Sequence, residues 1–162
     1  METLLPTAAR LGALLKARGE TLAIAESSAG GLIAASLLAV PGASAFFLGG
    51  AVIYTVSARR AFGITDEMMR GLRSSSEPYA ELLARTTRDR HGATWGLAET
   101  GAAGPTGNRY GDASGHSCIA VAGQETRVLT IETASTDRQA NMRQFALTAL
   151  NTMLAALESD KV

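Results

Sequence analysis

The sequence predicts one three-layer α/β/α domain with a small mixed β-sheet, a fold of the α/β class. Segments with apolar residues at helical spacing alternate with short apolar or β-branched runs, as expected when helices cover a sheet. The last two apolar runs are joined across Gly123 and Gln124, as in an antiparallel hairpin. With 162 residues, 46% of them hydrophobic, the chain is long enough for one core, and we expect a single domain over 1–162.

Four elements are predicted in the first third of the chain. Leucines and Ala8 recur three and four positions apart before Gly19, which indicates an amphipathic helix with a glycine stop. The apolar run TLAIA is typical of a buried strand, and the nearly uncharged helix after it ends at Pro41. The β-branched run GAVIYTV indicates a second strand. These elements cover residues 4–18, 21–25, 32–40 and 50–56.

The remaining elements are predicted from turn signals and periodicity. Ser76 is a predicted N-cap, because Glu77 and Pro78 after it suit the first turn of a helix. The run ATWGLA is a third strand that leads into an irregular, glycine-rich loop over 101–115, and loops of that length are usually functional or mobile. Asp137 begins a last helix with a broad apolar stripe. The elements are two short helical pieces at 57–62 and 66–72, a helix over 77–91, strands over 93–98, 116–122 and 126–131, and the last helix.

Composition excludes several classes of function. Fifteen basic and fifteen acidic residues balance, so the chain lacks the positive field of a nucleic-acid-binding protein. Charged residues and Pro6 interrupt the N-terminal leucines, which excludes a signal peptide or membrane span, and we expect a cytoplasmic protein. Cys118 is the single cysteine, so no internal disulfide forms. No metal-ligand spacing is present, and we predict neither a metal nor a cofactor.

Three loops should meet at strand ends, where open α/β sheets bind ligands. They cover residues 26–31, 42–44 and 100–107. Gly30 and Gly31 begin a helix, whose free amide donors and positive dipole end suit an anion such as a phosphate, although such glycine pairs also serve close packing. The loop TGAAGPTG lacks both the P-loop lysine and the dinucleotide spacing, which argues against those two nucleotide sites.

Five motifs occur in a characteristic order: AES-x-x-GG, PG-x-S-x-FF, GG-x-x-x-Y-x-x-x-A, SEP and TG-x-AGP-x-G. Together they span nearly the whole chain and resemble the C-terminal domain of the competence/damage-inducible protein CinA. The resemblance implies a three-layer α/β/α domain, often a homodimer. It also implies hydrolysis of the carboxamide of a pyridine nucleotide, because stand-alone members include nicotinamide mononucleotide deamidases, which release nicotinate mononucleotide and ammonia.

The resemblance also implies site residues. The family serine after the Pro-Gly turn falls on Ser44, which would attack the amide carbon, and Tyr54 with its cationic neighbour Arg59 would manage the proton. The sequence departs from the family at Ser28 and Ala29, where CT is usual, and at Arg59, where lysine is usual. The residues predicted to bind substrate are Glu26, Ser27, Gly30, Gly31, Thr100, Gly101, Gly104 and Arg143. Glu26 is expected to orient loop amides by hydrogen bonding.

The sequence also fits other functions and other roles for these residues. Arginine stays protonated in proteins, so Arg59 cannot be a general base, and a noncatalytic nucleotide-binding module is the second hypothesis. A third is a dimeric interaction protein that buries a partner on its last helix. Ser44 also fits an ordinary turn and Tyr54 ordinary strand packing. His116 is interpreted as a strand-start residue in preference to a catalytic one.

Overall fold

The computed structural model describes residues 1–124 and 126–159, and this part of the chain forms five α-helices and five β-strands. The helices are α1 (Leu5–Arg18), α2 (Leu32–Leu38), α3 (Val56–Ala61), α4 (Glu77–His91) and α5 (Arg138–Ser159), and a short 3₁₀ turn covers Ala43–Ala45. The strands are β1 (Leu22–Glu26), β2 (Phe47–Val52), β3 (Trp95–Ala102), β4 (His116–Ala122) and β5 (Thr126–Glu132).

The helix ends follow the predicted signals. Gly19 ends α1 in the left-handed conformation, with a φ of 64°. The Ser76 hydroxyl accepts a hydrogen bond from the Tyr79 N–H at 3.4 Å and thereby caps α4. Asp137 lies one position before α5, and its carboxylate accepts a hydrogen bond from the Ala140 N–H at 3.0 Å. Among the described residues, no helix is both long and apolar enough to cross a membrane, and the cytoplasmic location stays a prediction.

The strands form one mixed sheet in the order β2-β1-β3-β4-β5. β1 runs parallel to both β2 and β3, whereas β3, β4 and β5 are antiparallel neighbours, which confirms the predicted hairpin. Because the first three strands are parallel, Glu26, Val52 and the end of β3 reach the same edge of the sheet. The loops after β1, β2 and β3 therefore meet at that edge, whereas the predicted loop over 42–44 lies before β2, at the opposite end of that strand.

Helices cover both faces of the sheet and produce the predicted three layers. One face carries large side chains such as Ile24, Leu97 and Ile119, which pack against α1, α2 and α5. The opposite face carries alanines from β1, β3 and β4, which pack against α4. A Cβ atom on Gly96 would lie 2.0 Å from the carbonyl oxygen of Ala84, so α4 packs directly on the backbone of β3.

Three predicted boundaries were wrong. β2 covers Phe47–Val52 and not 50–56, because the Thr55 hydroxyl leaves the sheet to accept from the Ala58 N–H and begin α3. Residues 66–71 form consecutive turns in place of a helix. β3 continues past residue 98 to Ala102, because its end pairs with the start of β4, where Ala102 lies opposite His116.

Candidate active site

Two adjoining cavities open at the edge where β1, β2 and β3 end. The first cavity has a volume of about 320 Å³ and the second about 250 Å³, and both are lined by Tyr54, Gly101 and Asn108. The first cavity is also lined by Ser27, Ile53, Thr55, Val56, Arg59, Ser74, Ser75, Tyr79, Thr100, Arg109 and Tyr110. The second is also lined by Ser28, Ala102, Ala103, Gly104, Thr106, Gly107 and Arg138.

The cavities are cationic although the whole chain has no net charge. Arg59 and Arg109 line the first cavity and Arg138 lines the second, and no Asp or Glu among the described residues lines either one. The local excess of positive charge favours an anionic ligand. Hydroxyl groups supply most of the remaining polar atoms of the first cavity.

Ser27 follows β1 directly, and a buried carboxylate fixes its position. Glu99 is fully buried on β3, and its Oε2 atom accepts hydrogen bonds from the N–H groups of Ser27 at 3.1 Å and Ala29 at 2.8 Å. Its Oε1 atom accepts from the Ser117 hydroxyl at 3.0 Å. Burial raises the pKa of Glu99 to about 7, although these three donors act against the rise. The Ser27 hydroxyl has no hydrogen-bond partner among the described residues and borders the first cavity.

Glu26 occupies the helix start that the sequence had suggested for an anion. It is fully buried, and its oxygens accept from the N–H groups of Ile33 at 3.2 Å and Ala34 at 3.0 Å, in the first turn of α2. Burial raises the pKa of Glu26 above its usual value, against the effect of these backbone donors. The protein's own carboxylate therefore occupies the positive end of this helix, and substrate binding by Gly30 and Gly31 stays a prediction.

The two glycines serve the backbone. Gly30 and Gly31 have φ angles of 68° and 96°, which favour glycine. A Cβ atom on Gly30 would also lie 2.6 Å from the Met142 side chain of α5. These residues let the loop after β1 turn tightly beneath α5.

Arg59 lies on α3 and lines the first cavity from the side of β2. Its Nη2 atom donates to Asp66 Oδ1 at 2.6 Å, which anchors the guanidinium group. Its Nε–H is buried and has no partner among the described residues. Since buried donors are nearly always paired, an acceptor atom of a ligand is the natural partner for this group.

Two tyrosine hydroxyls have cationic neighbours. Arg138 Nη2 donates to the Tyr54 hydroxyl at 3.2 Å, across the boundary between the cavities. Arg109 Nη2 donates to the Tyr110 hydroxyl at 2.8 Å. This hydrogen bond lowers the pKa of Tyr110 below its usual value, with a smaller effect in the same direction from the charge of Arg59. The neighbouring arginine therefore favours the ionised form of Tyr110 in the first cavity.

Ser75 is held in a strained conformation beside the first cavity. Its φ angle is 57°, in the left-handed region that non-glycine residues rarely adopt. Its N–H donates to Thr100 Oγ1 at 3.3 Å and its hydroxyl donates to the Gly101 carbonyl at 3.2 Å. Its own carbonyl oxygen contacts His116 Nε2 at 3.0 Å. The first two contacts join the loop before α4 to the end of β3, and the third joins it to the start of β4.

His116 is the first residue of β4, which confirms its interpretation as a strand-start residue. Its Nδ1 atom contacts the Glu132 carboxylate, and its Nε2 atom contacts the Ser75 carbonyl oxygen at 3.0 Å and Cys118 Sγ at 3.5 Å. Both nitrogens donate when the ring is protonated. Burial acts to lower the pKa of His116, but the hydrogen bonds to the two oxygen acceptors and the charge of Asp112 raise it overall. His116 thus contacts Ser75 but lines neither cavity.

The predicted site residues are only partly brought together. Ser27, Tyr54, Arg59, Thr100 and Gly101 line the first cavity, and Gly104 lines the second. Ser44 does not join them, because it is exposed on the 3₁₀ turn before β2, at the opposite end of that strand from Tyr54.

The predicted substrate-binding arginine also lies elsewhere. Arg143 is exposed on α5 and lines neither cavity. Arg138, the first residue of the same helix, lines the second cavity instead.

Sequence reasoning missed Glu99, Arg109, Tyr110 and Arg138. Glu99 carried a usable signal, because it precedes Thr100 in the motif AETG directly after an apolar strand. The other three became site residues only when the glycine-rich loop and α5 took their places. Within the described residues, no three His, Cys, Asp or Glu side chains are grouped so that they could hold a metal ion.

Relatives with known sequence share most of this chain. Residues 5–157 match the family model for the CinA C-terminal domain. A CinA-like protein of Anaeromyxobacter sp. (strain K) is 40% identical over 146 residues, which are 90% of this chain and 36% of that protein. A CinA-like protein of Myxococcus xanthus is 44% identical over 102 residues, which are 62% of this chain and 24% of that protein. The chain thus spans only about a third of the length of the first of these relatives.

Solved structures share the whole fold. The competence damage-inducible protein A (ComA) of Klebsiella pneumoniae superimposes with a TM-score of 0.90 at 26% identity, over 98% of this chain and 99% of that one. The competence/damage inducible protein CihA of Agrobacterium tumefaciens superimposes with a TM-score of 0.84 at 30% identity, over 96% of each chain. The family match and the common fold both cover nearly the whole chain. It belongs to the CinA C-terminal domain family.

Proposed function

We propose that the chain is an amidohydrolase that converts nicotinamide mononucleotide and water into nicotinate mononucleotide and ammonia. The observation that carries this proposal is the unpaired Ser27 hydroxyl in the lining of a cationic cavity. A cleft lined by hydroxyl groups and arginines suits a neutral amide that belongs to an anionic nucleotide. The family resemblance, which includes nicotinamide mononucleotide deamidases, points to the same substrate.

The proposed reaction has two steps. The Ser27 oxygen forms a bond to the carboxamide carbon, the C–N bond breaks, and ammonia leaves with the proton that the hydroxyl group gave up. Water then hydrolyses the resulting ester, which releases the carboxylate product and restores the serine. The unpaired Arg59 Nε–H is a donor for the oxygen that becomes negatively charged, and the Tyr110 phenol is a proton carrier favoured by its lowered pKa.

Ser44, the nucleophile that the family resemblance implies, is the alternative to Ser27 and has a specific requirement. Since it lies at the far end of β2 from the cavities of its own chain, it would have to act in the cleft of a second copy.

An assay for ammonia and nicotinate mononucleotide with purified protein tests the reaction. We expect both products in equal amounts from nicotinamide mononucleotide, with no added metal or cofactor. Failure to form either product while nicotinamide mononucleotide still raises the melting temperature would contradict the enzyme and support the binding module.

That second function, a noncatalytic nucleotide-binding module, rests on the ion pair of Arg59. The guanidinium group is tied to Asp66 and cannot accept a proton. If this reading holds, Arg59→Lys gains deamidase activity that the wild type lacks, because a lysine amine can lose its proton in a buried site. The two proteins are to be assayed side by side.

We also propose that the chain forms a homodimer through β2. This strand lies at the edge of the sheet, and the large hydrophobic side chains of Leu48 and Val52 are exposed on it, as is Tyr54 just after it. No charged residue occurs between Glu26 and Arg59 to prevent pairing with another strand. A second copy offers a matching edge by two-fold symmetry. Light scattering that gives the mass of one chain at micromolar concentration would contradict the dimer.

A further inference from the structure

The second cavity contains polar groups for which the proposed chemistry of the first cavity has no use. Arg138 is its charged side chain, and Ser28, Thr106 and Asn108 add two hydroxyl groups and an amide. Its other lining residues are Tyr54 and small residues of β3 and the glycine-rich loop. A cavity with one arginine, several neutral donors and no lining carboxylate among the described residues is suited to a compact anion.

Ser28 supplies the observation that points to a ligand. Its side chain is only 3% exposed, and its hydroxyl group is buried without a hydrogen-bond partner among the described residues. A buried hydroxyl without a partner is unfavourable, and native proteins rarely leave one in that state. An oxygen of a ligand in the second cavity would accept a hydrogen bond from this hydroxyl group.

Arg138 is held in position before any ligand binds. Its Nη1 atom donates to the Gly104 carbonyl at 2.6 Å and its Nη2 atom to the Tyr54 hydroxyl at 3.2 Å. The start of α5 is fixed to the same loop, because the buried Asn141 donates to the Ala103 carbonyl at 2.9 Å. The nearby Asp137 carboxylate is engaged by the Ala140 N–H. Little side-chain freedom remains to be lost when an anion binds.

We propose that the second cavity binds the phosphate monoester of the substrate, through Arg138 and the Ser28 hydroxyl. This inference rests on the proposed function, because it places the carboxamide in the first cavity and the phosphate in the second. The two cavities share Tyr54, Gly101 and Asn108, so a ribose can connect the two ends of one mononucleotide at that boundary. A phosphate monoester fits because arginine binds its oxygens through two parallel hydrogen bonds.

Isothermal titration with nicotinate mononucleotide and with inorganic phosphate tests the inference without requiring turnover. Arg138→Gln is expected to weaken the binding of both ligands roughly 10- to 100-fold, since it removes a charged donor. Arg138→Lys should recover part of the loss. Ser28→Ala should weaken binding about 3- to 10-fold. Circular dichroism and melting temperature confirm that each variant is folded.

Arg143→Gln provides the matched comparison, because it removes the same charge from the exposed surface of the same helix. We expect this variant to bind both ligands like the wild type. The inference is overturned if the wild type binds neither ligand, if Arg138→Gln binds as tightly as the wild type, or if Arg143→Gln loses as much affinity as Arg138→Gln.

Nicotinamide riboside, which lacks the phosphate, separates this inference from the proposed function. If both hold, Arg138→Gln raises the KM for nicotinamide mononucleotide by a much larger factor than the KM for the riboside. If the protein binds nicotinate mononucleotide through Arg138 but hydrolyses neither compound, the phosphate site stands and the proposed activity falls. An equal loss on both substrates would remove the phosphate site from the second cavity.

Discussion

Ser27→Ala is expected to lower the rate of nicotinamide mononucleotide hydrolysis by about a thousandfold or more, which is typical for the loss of a nucleophile. The substitution removes one hydroxyl oxygen that borders the first cavity and leaves the Ser27 N–H bonded to Glu99, so the loop should keep its shape. Substrate binding should therefore change little. Ammonia release at saturating substrate measures the first effect, and isothermal titration of the variant with nicotinamide mononucleotide measures the second.

Ser44→Ala is the matched control for this experiment. It removes an identical hydroxyl group from an exposed turn at the other end of β2, so we expect close to the wild-type rate. A large loss in Ser44→Ala with a normal rate in Ser27→Ala would contradict Ser27 as nucleophile. It would require Ser44 of a second copy to reach the cleft.

The order of helices and strands could be predicted from the sequence, because local patterns determine most of it. The spacing of leucines before Gly19 and the alternation of apolar residues with turn signals do not depend on distant contacts. Glu26 at the end of β1 was expected to orient loop amides, but it accepts from Ile33 and Ala34 in the first turn of α2. Parallel β1 and β2 then had to bring their ends, and the loops after them, to one edge.

The position of Ser44 shows how a boundary error becomes an error about the site. A strand predicted over 50–56 places Tyr54 within the sheet and hides its distance from Ser44. The actual β2 begins at Phe47 and ends at Val52, so about 20 Å of extended chain separates the turn before it from the loop after it. Two residues from neighbouring motifs thus lie at opposite ends of one strand.

Long-range packing decided the remaining residues. Arg138 and Arg143 are five positions apart on α5, so they point in directions about 140° apart. Which of them meets the glycine-rich loop depends on how α5 lies on the sheet, and local sequence does not contain that information. Glu99 was missed because the predicted third strand ended at residue 98, whereas the pairing of Glu99 with Ile119 of β4 continues β3 past that point.

Glu99→Ala is expected to destabilise the protein by about 3–5 kcal/mol, because it leaves the N–H groups of Ser27 and Ala29 and the Ser117 hydroxyl without their buried acceptor. Urea unfolding measures this change. Glu99→Gln is the matched variant. Its carbonyl oxygen can accept from the two N–H groups and its amide can donate to the Ser117 oxygen, so we expect a much smaller loss. Equal destabilisation by the two variants would contradict the role given to these hydrogen bonds.

The same pair of proteins tests the raised pKa of Glu99. The folded pKa is about 7 and the ordinary value is 4.5, so between these values the folded protein binds more protons than the unfolded chain. The free energy of unfolding should therefore fall as the pH rises through this window, with about 3 kcal/mol due to Glu99. Glu99→Gln lacks this contribution, so its stability should fall less with pH, while the smaller effect of Glu26 remains in both proteins. Parallel stability profiles of the wild type and Glu99→Gln from pH 4.5 to 7 would show that Glu99 titrates near its ordinary value. The buried carboxylate would then hold Ser27 in place without a cost in stability at neutral pH.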